Sequence, residues 1–244
     1  MLVGGAVADK PSRLVAPGDP VVVQGEGPRF VSRGGDKLAA ALDWFPVAVA
    51  GAVALDAGAS TGGFTDCLLQ AGAARVVAVD VGYGQLDSRL RADPRVVVME
   101  RTNLRALTPE AVAAASGRDG PVDLVTADLS FISLTVVAPV LAGPVVRPGG
   151  DLVVLVKPQF EAGRAAVSRG KGVITDPAVW AEALASVASS LGAAGAAIMG
   201  AMRSPVLGHA GNTEFLLHAV AGAGARPDGE VAPLLDAAVD EATA

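Results

Sequence analysis

The sequence predicts an α/β fold, a doubly wound and mostly parallel sheet of seven strands that closes with an antiparallel hairpin. Three observations predict it. Five short apolar runs alternate with segments of helical spacing between residues 53 and 156. The first run leads into a turn of small residues, Asp56-Ala57-Gly58-Ala59-Ser60-Thr61-Gly62-Gly63, which opens a helix. The last two apolar runs, Ala196–Met202 and Thr213–Val220, are separated by turn residues, as the arms of a hairpin are.

Taken in order, residues 1–28 read as turns and short strands followed by a linker, too short to enclose a core. In Arg33-Gly34-Gly35-Asp36-Lys37, Asp36 can cap a helix that turns Leu38, Ala41, Leu42 and Phe45 inward, and Pro46 ends it. The strands expected next are Val53–Asp56, Val76–Asp80, Val96–Glu100, Leu124–Asp128 and Leu152–Val156. Thr108-Pro109-Glu110 is a helix start between the third and the fourth. A helix from Asp176-Pro177 to about Leu191 precedes the hairpin. Residues 222–244, rich in Gly, Ala, Asp and Glu, are expected to form a frayed helix or a disordered tail. The chain thus divides into residues 1–28, a main domain over 29–221 and a tail over 222–244.

Hydrophobic residues make up 51% of the 244, and the mean hydropathy is +0.47. The longest apolar run, Trp44 to Leu55, is broken by Pro46 and Gly51 and stops short of the ~20 residues that span a bilayer. The surplus is Ala and Val, as strands buried on both faces require. No basic–apolar–small pattern marks a signal peptide, and the single cysteine, Cys67, cannot form an internal disulfide, so a cytoplasmic protein is expected. A net charge of −6 counts against nucleic acid as a partner. Yet Arg29, Arg33, Lys37, Lys157, Arg164, Arg169, Lys171 and Arg203 fall in loops or at element ends, where they can build a local basic face.

The small-residue turn lets a ligand approach bare backbone N–H groups. Asp80, at the end of the second run, is placed to hold the hydroxyls of a ribose. A dinucleotide asks for glycine at three positions that read Gly58, Ser60 and Gly63 here. Ser60 crowds the pyrophosphate position, and Asp56 would repel phosphate. A cationic sulfonium with an amino-acid tail has neither difficulty, which favours S-adenosylmethionine over NAD. A tight turn with no ligand is a third reading. A seven-stranded sheet that ends in a hairpin is also the usual Rossmann-like architecture of S-adenosylmethionine-dependent methyltransferases. Asp128, Lys157 and Glu214 stand at other strand ends. A lysine closing a buried strand needs a carboxylate or a substrate beside it, and a purely structural Lys–Asp pair is the alternative. His209 and His218 lack ligand spacing with cysteine, so no metal is expected.

Longer motifs carry a resemblance. Arg33-Gly34-Gly35-Asp36-Lys37, Leu55 to Thr65, Asp80-Val81-Gly82-Tyr83-Gly84-Gln85-Leu86, Glu100-Arg101-Thr102-Asn103, Ala127 to Leu134 and Val156-Lys157-Pro158-Gln159-Phe160-Glu161 together resemble the TlyA family. These are 2′-O-ribose methyltransferases of ribosomal RNA cytidines, some labelled haemolysins, with a catalytic domain similar to the FtsJ type. The likeness runs from about Phe30 to about Ala219. It implies a Lys-Asp-Lys-Glu tetrad of Lys37, Asp128, Lys157 and Glu214. It implies that Asp56, Gly58 and Ser60, in one turn with Thr61 and Gly62, hold the methionine part of S-adenosylmethionine. Asp80 would hold the ribose, Thr102 and Asn103 would border the adenine, and Asp128 would also touch the cofactor.

On the same likeness Arg33 faces RNA, with Arg29, Arg164, Arg169 and Lys171 beside it, and ribosomal subunits are the partner. A ribose hydroxyl must lose its proton as it attacks, and a neutral lysine amine can take it. Family members normally begin with an S4-type RNA-binding domain. Met1 to Val23 resembles only its final strands, marked by Lys10-Pro11-Ser12 and Gly18-Asp19, so a partial S4-like remnant without the basic helix pair is expected. A class I methyltransferase for a small molecule and a membrane-active haemolysin are the competing readings.

Overall fold

Runs of Val, Leu and Ala with few polar residues need cover on both faces, and the sheet is built from them. The computed structural model describes residues 1–8, 10, 12–22, 27–162 and 172–243. Three two-residue strands, β1 (Leu2–Val3), β2 (Ala6–Val7) and β3 (Val21–Val22), form a small antiparallel sheet in the order β2-β1-β3, in which Val3 is buried. The main sheet comprises β4 (Val53–Ala57), β5 (Arg75–Val79), β6 (Val96–Met99), β7 (Val122–Ala127), β8 (Val146–Val156), β9 (Ala197–Arg203) and β10 (Phe215–Val220). Its order is β6-β5-β4-β7-β8-β10-β9, with β10 antiparallel to both neighbours and the other pairings parallel.

The α-helices among the described residues are α1 (Gly34–Trp44), α2 (Gly63–Gln70), α3 (Ser88–Arg91), α4 (Pro109–Ser116), α5 (Leu134–Leu141), α6 (Pro158–Glu161), α7 (Pro177–Ala193) and α8 (Asp228–Thr243). One face of the sheet packs Leu124, Val153, Leu155 and Leu216 against Leu38 and Ala41 of α1 and Phe64 and Leu68 of α2. The other packs Leu55, Val125, Val154 and Leu217 against α5, α7 and α8. This is the doubly wound arrangement that the alternating runs predict.

Register decides what meets at the sheet's edge. Ala57 pairs with Val79 and with Ala127, Ala127 pairs with Val154, and Phe215 pairs with Val156. The residues just beyond these pairs, Gly58, Asp80, Asp128, Lys157 and Glu214, therefore come out along one edge, the carboxyl end of the parallel strands, where ligands bind in such sheets.

Three expectations need correction. Helix α1 starts at Gly34, not behind Asp36; Arg33 occupies the cap position without a side-chain bond, and Asp36 sits in the first turn, where an acid is favoured by the helix dipole. Strand β8 begins at Val146 rather than Leu152, with a register shift against β7. Residues 228–243 are not a frayed or disordered tail. Val231, Leu235, Ala238, Val239 and Ala242 recur on one helical face, which packs into the main core with Leu235, Ala238 and Val239 buried. The Thr108 start is as expected, its hydroxyl accepting the Ala111 N–H at 3.2 Å.

Candidate active site

The turn after β4 folds around Gly58. Its φ is +84°, and a Cβ there would lie 2.7 Å from the Asp128 carbonyl oxygen, so only glycine lets the ends of β4 and β7 come this close. Asp80 fastens the same turn. Its Oδ2 accepts the Ser60 N–H at 2.8 Å and its Oδ1 accepts the Gly82 N–H at 2.6 Å. Carboxylate oxygens carry further lone pairs, so the acid can still accept from the hydroxyls of a ribose. Gly58, Ser60, Asp80, Thr102, Asn103 and Asp128 line a cavity of about 490 Å³, the size of a small-molecule site.

Asp56 is not on the wall of that cavity. It is 0% exposed beneath the turn, taking the Thr65 hydroxyl at 2.6 Å and approached by the Thr126 hydroxyl at 3.4 Å. Burial, with a smaller contribution from Asp128, pushes its pKa up to about 7 against the pull of the Thr65 bond. Thr61 lines a separate hollow of about 200 Å³ together with Arg33, Lys37, Ser60 and Asp128. Gly62 lines neither: it precedes α2 with φ +100°, and its α-carbon faces Leu86 and Leu90.

The four strand-end residues form two ion pairs. Lys157 Nζ lies 2.5 Å from Asp128 Oδ1 and donates to Ser130 Oγ at 3.1 Å. Lys37, on the first turn of α1, places its Nζ 2.5 Å from Glu214 Oε2. Each lysine is only 8% exposed, so each depends on its acid. Gly208 makes room for this second pair, because a Cβ at that position would overlap the Glu214 carboxylate. Lys37, Ser130, Phe131, Lys157, Gln159 and Glu214 line a third hollow of about 550 Å³. Ser130 and Phe131 belong to both this hollow and the 490 Å³ cavity, so the two spaces meet beside the Lys157–Asp128 pair.

Sequence reasoning missed several residues here. Glu161 Oε1 accepts the Leu134 N–H at 2.9 Å and Oε2 accepts the Ser133 hydroxyl at 2.5 Å, tying α6 to the start of α5; burial raises its pKa. Phe131 has φ +66° and is 93% exposed, its ring centroid 5.2 Å from that of Phe160. Ser130, Gln159 and Glu161 all lay inside conspicuous motifs, but nothing local distinguished them from linkers.

Of the predicted basic face, Arg33 is exposed on the 200 Å³ hollow, and Arg29 is exposed with its guanidinium 4.7 Å over the Phe30 ring. Arg164, Arg169 and Lys171 lie outside the described residues. Lys37 and Lys157 are neutralised by their acids rather than free for phosphate. Among the described residues no cluster of three or more His, Cys, Asp or Glu could hold a metal, and no helix is long and apolar enough to cross a membrane.

Comparison with known proteins follows the same lines. Residues 30–220 match the FtsJ-like methyltransferase family. Over 216 residues the chain is 51% identical to the 16S/23S rRNA (cytidine-2′-O)-methyltransferase TlyA of Mycobacterium tuberculosis, covering 88% of this chain and 78% of that one. The chain belongs to the TlyA family. Other TlyA-like relatives carry a different label. Hemolysin A of Brachyspira hyodysenteriae is 40% identical, over 78% of this chain and 76% of its own. A solved structure described as a hemolysin from Streptococcus thermophilus superposes with a TM-score of 0.82 at 38% identity, over 98% of this chain and 85% of that one. At 17% identity and a TM-score of 0.51, Aeropyrum pernix fibrillarin shares the fold alone.

Proposed function

We propose that this TlyA-family chain transfers the methyl group of S-adenosylmethionine to the ribose 2′-hydroxyl of a cytidine in ribosomal RNA. The observation that carries the proposal is the meeting of a nucleoside-sized cavity and a second, lysine-lined hollow at the Lys157–Asp128 pair. S-adenosylmethionine supplies an electrophilic methyl group on its sulfonium. The cavity suits it: Gly58 and Ser60 offer close backbone, Asp80 has unspent lone pairs for the ribose, and Thr102 and Asn103 border the far end. Asp56 and Gly62 act from behind, holding the turn in shape rather than touching the cofactor.

The target ribose enters the 550 Å³ hollow. S-adenosylmethionine held in the 490 Å³ cavity would supply its methyl group to the 2′-oxygen with the thioether as leaving group, and Lys157, once the proton of its ion pair with Asp128 has left to solvent, would take the hydroxyl proton. Asp128 and Ser130 aim Lys157, while the Lys37–Glu214 pair fixes the opposite wall. Holding the reacting atoms in place supplies much of the remaining acceleration. Arg33 and Arg29 contact the RNA backbone, and a ribosomal substrate places the enzyme in the cytoplasm. The small sheet of residues 1–22 is assigned as the strand part of an S4-like domain.

The overall charge of −6 favours the second reading, a small-molecule methyltransferase. One experiment separates them. Labelled S-adenosylmethionine is incubated with the protein and with undermethylated ribosomal subunits or naked ribosomal RNA, and the label is mapped by mass spectrometry. The expected product is 2′-O-methylcytidine at a defined position. Label on a base, or no label in any RNA, overturns the proposal.

A further inference from the structure

The lysine-lined hollow has in its wall a polar side chain that the chemistry above does not use. Gln159, two residues beyond Lys157, lines this hollow. Its amide nitrogen donates to Glu214 Oε1 at 3.3 Å. The Glu214 carboxylate, paired with Lys37, can only accept, so the amide is held with its nitrogen toward Glu214 and its oxygen away. That oxygen, Oε1, is buried and has no hydrogen-bond partner among the described residues. Buried acceptors without donors are rare because water has been lost and nothing replaces it. On the wall of a substrate hollow, a donor that arrives with the substrate resolves the exception.

The hollow narrows the choice of donor. Its lysines face the ribose, and the rings of Phe131 and Phe160, tilted 55° to each other, offer flat walls for a base. A pyrimidine then presents its C4 substituent, which is an amine donor in cytosine and a carbonyl acceptor in uracil. We infer that Gln159 Oε1 accepts a hydrogen bond from the exocyclic amine of the target cytosine and thereby makes the site prefer cytidine to uridine. The inference rests on the proposed cytidine 2′-O-methylation. Uracil would set its own oxygen against Oε1, and the amide cannot turn over without facing its oxygen to Glu214.

The test uses one ribosomal RNA substrate carrying, at the methylated position, cytidine, uridine or a pyrimidin-2-one riboside with hydrogen at C4. Wild-type protein is expected to show kcat/KM about 10- to 100-fold higher for cytidine than for either analogue. Gln159→Leu is expected to lose that factor on cytidine while staying within about threefold of wild type on the analogues, with S-adenosylmethionine affinity unchanged. A Leu variant that slows on all three substrates alike acts through Glu214, and one that keeps the wild-type preference does not read the base; either result overturns the inference. If the Leu variant does not fold, the wild-type arm decides, because equal transfer to cytidine and to the pyrimidinone overturns it as well. Wild-type protein that methylates no ribosomal cytidine removes the proposed function itself and the inference with it.

Discussion

At the scale of residues, each of the two proposed catalytic lysines pairs with a different acid, and the pairing sets what a substitution does. Lys157 faces Asp128 and Ser130 in the 550 Å³ hollow and is not on the wall of the 490 Å³ cavity proposed for the cofactor. Lys157→Ala should therefore lower single-turnover methyl transfer by about 10²- to 10⁴-fold, the usual contribution of a proton acceptor, while calorimetry finds cofactor binding retained. Asp56 gives a second prediction. Its folded pKa of about 7 lies above the ordinary value of 3.8, so the native state holds a proton that the unfolded chain releases as pH rises. The resulting stability is complete below about pH 4 and is lost as pH rises through 7. Asp56→Asn keeps the acceptor for Thr65 and removes the titration. Urea unfolding should then show wild type losing more stability than the variant between pH 5 and pH 8.

At the scale of elements, the site depends on a clamp between two strand-end segments. Glu161 of α6 accepts from Ser133 and Leu134 at the start of α5, where a carboxylate is also favoured by the helix dipole. The same chain segment carries Ser130 and Phe131 on one side, and Lys157 precedes α6 on the other. Glu161→Ala should lower stability by about 1 kcal/mol, the usual cost of a lost helix-start acceptor. It should also cut kcat by roughly tenfold through lost positioning. Chemical unfolding and steady-state kinetics on the same preparation check both.

At the scale of the whole molecule, the family match ends at residue 220, but the packed structure does not. Helix α8 covers β9 and buries Leu235 beyond that limit. Leu235→Ala should cost about 2 to 3 kcal/mol in urea unfolding, because it opens a cavity under the helix. Methyl transfer at 25 °C should be unchanged, since no residue of α8 lines the 490 Å³ cavity or the 550 Å³ hollow. Charge is also a property of the whole. A protein of net −6 that binds RNA must do so through few local cations, and Arg33 stands exposed beside Lys37. Arg33→Ala should weaken RNA binding and reduce the slope of log affinity against log salt by about one. A salt titration with an unchanged slope would remove Arg33 from the RNA contacts.

The sequence by itself determined the fold class, the turn at Gly58 and Lys157 at a strand end, because periodicity and turn chemistry are local properties of the chain; Lys37 entered as a candidate only through the family resemblance. Alternating runs specified a parallel sheet, and parallel register forces strand ends to one edge, so Asp80, Asp128 and Lys157 could be grouped before any coordinates. Tertiary structure decided the partners. Lys37 meets Glu214 across 177 residues, and Asp128 is left to Lys157, a pairing that depends on how α1 and β10 dock and leaves no local trace. Asp56, which reads as a cofactor ligand in the chain, turns under the strand toward Thr65, because alternate residues of a strand point to opposite faces. The C-terminal helix reads as a tail from its composition, and only the apolar surface around β9 turns its weak stripe into buried core. Local chemistry fixes which groups exist and near which edge; long-range packing fixes which of them touch.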